Sequence, residues 1–320
     1  MPDHADKRDR FRGAFLGCAL GDAIGRPFEM MSATDGRLGP ALDAALARSG
    51  TLSYSDDTEM MISVAESLTR VGGVSADDML STLARNYDPA RGYGHGMKRA
   101  LQAFERGDRP GSSTWVEGSR GSGGAVRTVA VACAYHDDLA LVAALAEEAA
   151  GLTHAHPLGR AGAVVHAVAV ARMVGSSDAR ADLGTVVNAM RDHPLVSGTP
   201  MGAKLEKVRD LLDTSAEPRA GVEALGNGVV ADEAVPLALF SFLRWAPDFE
   251  AVVRNTVLCG GDTDTIAATS GALCGALIGE SALPTRWLDR LESGPKGTDY
   301  LRALADATFA LWCKRGRSGR

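Results

Sequence analysis

The chain is poor in the residues that staple small secreted proteins. Its 320 residues hold five cysteines, Cys18, Cys133, Cys259, Cys274 and Cys313, an odd number without a C-x-x-C pair. They support neither a disulfide framework nor a zinc site, and their mostly apolar helical context fits reduced thiols in a cytosolic protein. Aromatics are only 5% of residues, whereas Ala and Gly are abundant, which suits close helix packing better than sheets. Positive charge is in deficit: 34 Lys and Arg stand against 40 Asp and Glu, a net charge of -6. A general nucleic-acid binder needs a basic face, so no stable nucleic-acid partner is expected, and the tail CKRGRSGR reads as a solvated end. No run approaches the ~20 apolar residues of a membrane helix. The N-terminal KRDRFR followed by GAFLGCALG faintly resembles an export signal, but the apolar part is short, stops at Asp22 and lacks an A-x-A-like site.

Internal repeats and low-complexity tracts are missing, and alternating strand-like runs are scarce. Helical periodicity is plentiful instead. It runs through RFRGAFLGCALGDAIG, DDTEMMISVAESLTRVG and SADDMLSTLARNY, whose Ser75 and following acids form a helix-start signal. It continues to TDYLRALADATFALW near the C-terminus. The expected fold is all-α, one compact many-helix domain over residues 1–320, with flexible ends at about 1–10 and 314–320. Gly13, Gly17, Gly21 and Gly25 recur every fourth residue in the first helix, as do Gly271, Gly275 and Gly279 in a late one. Each helical glycine costs about 1 kcal/mol relative to alanine. Two readings are open: the ridges face one another and carry Asp22 and Glu29 towards Asp262, or each meets some other helix. The longest irregular stretch, Arg106–Thr128, is rich in Gly, Ser and Pro, as functional loops inside compact domains often are.

Two acidic stretches open helices. In SDDTEM, Ser55, Asp56 and Asp57 are adjacent; in GGDTDTIAATSGALCGALIG, Asp262, Asp264 and Thr265 sit at i, i+2 and i+3. On a regular helix those side chains diverge, so they converge only where the chain is still turning into the helix. Either stretch alone reads first as an N-cap with acids on the positive helix end. If the two meet in space, which spacing alone does not show, four carboxylates share one small volume and cannot all stay ionised without a counter-charge. Oxygen donors without Cys or His select hard cations such as Mg²⁺, Ca²⁺ or Mn²⁺, and four carboxylates suffice to bridge two ions.

GDAIGRPFE, SDDTEM, GSGGAVR, LTHAHP and GGDTDTIAATSGALCGALIG, in order from about Gly13 to Gly279, together resemble the ADP-ribosylhydrolase (ADP-ribosylglycohydrolase) family. The resemblance implies an all-α enzyme that cleaves the glycosidic bond between ADP-ribose and a protein side chain or another acceptor, using two divalent ions, Mg²⁺ or Mn²⁺. It implies metal ligands at Ser55, Asp56, Asp57, Asp262, Asp264 and Thr265, with Ser55 standing where the family usually has Thr. It implies catalytic roles for Glu29 as acid/base and for Asp262 in orienting water or stabilising charge. Substrate contacts are expected at Gly92 and Gly94, where the backbone can approach closely, at Ser119, at Trp115 as a face for adenine, and at Gly121, Ser122, Gly123 and Gly124, whose N–H groups precede a helix and can meet a diphosphate; the resemblance implies His154 near the adenosine. GYGHG, the GSGGAVR form and Glu29 point towards the branch acting on ADP-ribosyl-serine, O-acetyl-ADP-ribose and poly(ADP-ribose), although Ser122 replaces the Asn usual there; arginine-linked ADP-ribose stays open. The expected partner is an ADP-ribosylated protein or an ADP-ribose-containing small molecule, met by a cytoplasmic monomer. Two other classes remain in view: a non-catalytic, crystallin-like ADP-ribose binder and a metal-dependent phosphohydrolase.

Overall fold

In the computed structural model, the described residues are 4–110, 118–176, 187, 190, 192–214 and 217–318. Each apolar segment with helical period forms helix. The first half carries α1 (His4–Gly25), α2 (Leu38–Ala47), α3 (Asp56–Val71), α4 (Ala76–Asn86), α5 (His95–Glu105), α6 (Gly123–Val126), α7 (Val129–Ala134), α8 (Leu139–Gly151) and α9 (Pro157–Gly175). The second carries α10 (Pro200–Leu212), α11 (Pro218–Leu225), α12 (Ala231–Trp245), α13 (Phe249–Val257), α14 (Thr263–Ile278), α15 (Thr285–Leu288) and α16 (Thr298–Ser318). Among the described residues there is no strand, only isolated bridges such as Ser32 to Gly260. The fold is all-α.

The centre of the molecule is α1 against α14, and the glycine ridges face each other. A β-carbon on Gly17 would stand 3.1 Å from the carbonyl carbon of Gly271, and one on Gly25 would stand 2.7 Å from the Cα of Asp264. Backbone thus lies directly on backbone, which no larger residue permits. Phe11, Phe15, Leu16 and Leu20 of α1 and Ile266, Leu273 and Cys274 of α14 are buried in the common core. The close crossing brings the C-terminal end of α1 to the N-terminal end of α14, where the acids lie.

Two expectations need correction. Residues 4–10 and 314–318 lie within α1 and α16, and Asp306 of α16 accepts from both Arg8 and Arg12 of α1 (each Nε at 2.8 Å), tying the two helices together. Ser75 occupies the N-cap position of α4, as expected, but makes no side-chain cap bond. One helix, α9, is long and apolar enough to cross a membrane, with a mean hydropathy of 1.2, yet 78% of that window is buried inside the fold.

Candidate active site

Asp22 organises the first acidic turn. It is fully buried on α1, and its carboxylate accepts from Ser55 N–H (2.8 Å), Thr58 N–H (3.0 Å) and the Thr58 hydroxyl (2.6 Å). Those are donors that the start of α3 would otherwise leave unpaired. Ser55 caps α3 by accepting from Asp57 N–H at 3.1 Å. With its turn pinned from both sides, α3 presents Asp56 and Asp57 into a cleft of about 840 Å³.

The second acidic turn is shaped by Gly260 and Gly261, both left-handed with φ of 62° and 75°. A β-carbon on Gly260 would stand 2.5 Å from Met31 O, and one on Gly261 2.7 Å from the Asn227 side chain, so the tight passage also requires glycine. Met30 N–H donates to Gly261 O (2.7 Å), Gly261 N–H to Met31 O (2.8 Å) and Asp262 N–H to Asn227 O (2.9 Å). This short pairing ties the segment after Glu29 to the segment before Asp262. Met30 itself carries φ 64°, unusual outside glycine. As a result, carboxylate oxygens of Glu29, Asp262 and Asp264 lie within 4.8 Å of one another.

Asp262 stands at the N-cap of α14 but caps nothing. Its Oδ1 accepts from the Thr265 hydroxyl (3.1 Å) and its Oδ2 from the Ser122 hydroxyl (2.9 Å). Each oxygen keeps a lone pair for another partner. Burial pushes the carboxyls of Asp22 and Asp262 up from their ordinary value, the latter against the pull of Ser122 and Thr265. Asp57 and Asp264 are pushed furthest, by burial first and then by Asp56 and Asp262 respectively. Asp56 is pushed up to about 7 by burial, with Asp22, Glu29 and Asp262 adding repulsion. Such a cluster favours either protons or cations. Its all-oxygen donors at short mutual distance fit a hard divalent cation.

The opposite wall comes from the glycine-rich segments. Gly92 (φ 107°) passes close to Asp56, a β-carbon there standing 3.5 Å from Oδ1. Gly94, Ser119, Gly121, Ser122 and Gly123 also line the cleft, with His154 beneath them. His154 is buried, and burial with the nearby Arg127 pushes its imidazole down to about 3. Its Nδ1 lies 2.8 Å from the Thr153 hydroxyl, which in turn accepts from Arg127 Nη1 at 2.7 Å.

The structure therefore brings together Glu29, Asp56, Asp57, Asp262, Asp264 and Thr265. Ser55 is buried at the cap of α3, beside Asp56 and Asp57, where its hydroxyl accepts from Asp57 N–H and keeps a further lone pair. Gly124 lies behind the cleft, where a β-carbon would stand 3.0 Å from the His154 ring; its glycine serves packing. The hydroxyl of Ser122, expected on substrate, engages Asp262 and Val229 O. Of the loop N–H groups expected to meet a diphosphate, Gly121 donates to Ser119 Oγ (2.9 Å) and Ser122 to Val229 O (3.0 Å). Glu29, read from the sequence as a proton carrier alone, is also within reach of a cation shared with Asp262 and Asp264. His156 caps α9, its Nδ1 accepting from Leu158 N–H. Trp115 lies outside the described residues. Sequence reading missed the roles of Asp22, Asn227, Arg127 and Thr153, which act through hydrogen bonds between distant segments.

The geometry agrees with comparisons to known proteins. The chain is 31% identical to ADP-ribosylhydrolase ARH3 of Gallus gallus, with 96% of this chain and 94% of that one covered. It is 32% identical to ADP-ribosylhydrolase ARH3 of Homo sapiens, covering 94% and 93%. It is 27% identical to the ADP-ribosyl-[dinitrogen reductase] glycohydrolase of Rhodospirillum rubrum, covering 95% and 96%. A solved structure, an ADP-ribosylglycohydrolase-related protein complex, superposes with a TM-score of 0.73 at 25% identity, covering 96% of this chain and 99% of that one. The ADP-ribosylglycohydrolase family model matches residues 3–318, and the chain belongs to that family.

Proposed function

We propose that the protein hydrolyses the glycosidic bond between ADP-ribose and an acceptor, releasing ADP-ribose, with two divalent cations, Mg²⁺ first and Mn²⁺ next, at Ser55, Asp56, Asp57, Asp262, Asp264 and Thr265. The observation that carries this reading is the convergence, in one cleft, of five carboxylates from the first and last fifths of the chain. Ions held there would neutralise the carboxylates and supply positive points for ribose hydroxyls.

The chain's own residues do the rest. Glu29 is exposed at the cleft, beside Asp262 and Asp264, where a carboxyl can protonate a leaving oxygen and then take a proton from water. Asp262 accepts through both oxygens, so its carboxylate keeps one orientation, from which it would orient the attacking water or stabilise charge at the reacting carbon. Gly92 and Gly94 let a sugar approach the backbone, and His154 offers its outward nitrogen to the rest of the nucleotide. The preferred linkage is the O-glycosidic one to serine, supported by the GYGHG and GSGGAVR segments and by likeness to the ARH3 proteins.

Turnover on serine-linked and arginine-linked ADP-ribosyl peptides, run side by side with Mg²⁺ and with chelator, tests this. Free ADP-ribose from the serine peptide, in Mg²⁺ only, is the expected product. AMP would mark a phosphohydrolase instead, and tight ADP-ribose binding without turnover would mark a non-catalytic binder.

A further inference from the structure

Arg127 is an unusual residue to find where it is. It is fully buried, and no carboxylate pairs with it among the described residues. Its Nη2 donates to Ala149 O (2.7 Å) and Ala150 O (2.9 Å), the carbonyl end of α8, where helix polarity favours a cation. Its Nη1 donates to the Thr153 hydroxyl. That hydroxyl has one proton, and the acceptor it faces is His154 Nδ1. The opposite arrangement, Nδ1–H donating to Thr153, would leave the hydroxyl accepting twice, with its own proton buried and unpaired, which is costly.

We infer that Arg127 and Thr153 are positioning residues that fix the ring proton of His154 on Nε2 and present it to a phosphoryl oxygen of the substrate. Nε2 lies beneath the glycine-rich loop: a β-carbon would stand 3.6 Å from it at Gly121 and 3.7 Å at Gly123, so the glycines leave it open to the cleft. Two of the loop's N–H groups are engaged internally, which leaves a side-chain donor to take their place. The phosphoryl assignment rests on the hydrolase reading; the tautomer does not.

Two-dimensional ¹⁵N–¹H correlation of the histidine side chains, without substrate at neutral pH and assigned with His154→Gln, reads the tautomer directly. The wild type should carry Nε2–H, Thr153→Ser should keep it, and Thr153→Val should lose it. In kinetics Thr153→Val should raise KM about tenfold, the weight of one hydrogen bond to a charged oxygen, with kcat within about twofold. Thr153→Ser should restore KM. Nδ1–H in an active wild type, or an unchanged KM in a folded Thr153→Val protein, would overturn the inference alone; the wild-type spectrum needs no variant to fold. Nε2–H together with no ADP-ribose binding would overturn the functional reading, and the phosphoryl assignment with it.

Discussion

The Thr58 hydroxyl donates to the Asp22 carboxylate at 2.6 Å, so a residue near the C-terminal end of α1 holds the start of α3 in place. Asp22→Ala should leave buried donors of Ser55 and Thr58 unpaired and lower unfolding free energy by about 1–3 kcal/mol. Because Asp22 orients the turn carrying Asp56 and Asp57, divalent-ion affinity should fall about 10–100-fold. Calorimetric titration with Mg²⁺ and chemical denaturation check the two effects separately.

Alanine at Gly275 should be severely destabilising. Its β-carbon would stand 2.6 Å from the carbonyl carbon of Gly13, in backbone that cannot swing aside. Overpacking of this kind costs about 1–3 kcal/mol and sometimes more. A Gly275→Ala protein with wild-type thermal stability would show that α1 and α14 do not meet as described.

Asp264→Asn should keep the helical fold, by circular dichroism, while losing Mg²⁺-dependent turnover. Full activity in this variant would remove the cation assignment.

Glu29→Gln should depress kcat and leave KM near the wild-type value, because the residue acts on the proton in the transition state rather than on binding. A raised KM at normal kcat would assign it to ground-state contacts instead.

Stability should depend on pH in an unusual direction when chelator is present. A carboxyl pushed up on folding binds its proton more tightly in the native state, so stability falls as pH rises between the unfolded and folded values. For Asp56 that window runs from about 4 to about 7. Cation-free wild type should therefore be less stable than Asp56→Asn at pH 8 and gain most from added Mg²⁺ there. Melting curves at pH 5 and pH 8, with and without Mg²⁺, decide it; a wild type more stable than Asp56→Asn at pH 8 in chelator would contradict it.

Much of this architecture was legible beforehand because its causes are local. Glycine every fourth residue announced that backbones touch, and the paired acids before Thr58 and Ile266 announced turns built to converge. Asp22 gave no such signal: a lone aspartate among Gly, Ala and Ile in a helix looks the same whether it meets solvent or two distant N–H groups. The Glu29–Asp262 proximity depends on the pairing of residues 30–32 with 260–261, a register that spacing along one segment cannot encode. The Gly-Ser loop was readable as a close approach, but which of its N–H groups remain free depends on Val229, more than a hundred positions away.

The meeting of α1 with α14 also bears on how the protein is made. During synthesis the first glycine ridge emerges long before its counterpart at Gly271–Gly279 exists, and contacts of such wide sequence separation form slowly. A ribosome-tethered chain stopped before residue 260 would expose the bare groove of α1 and lack two of the five cleft carboxylates. The acidic cleft would then be completed abruptly, as the last fifth of the polypeptide leaves the exit tunnel.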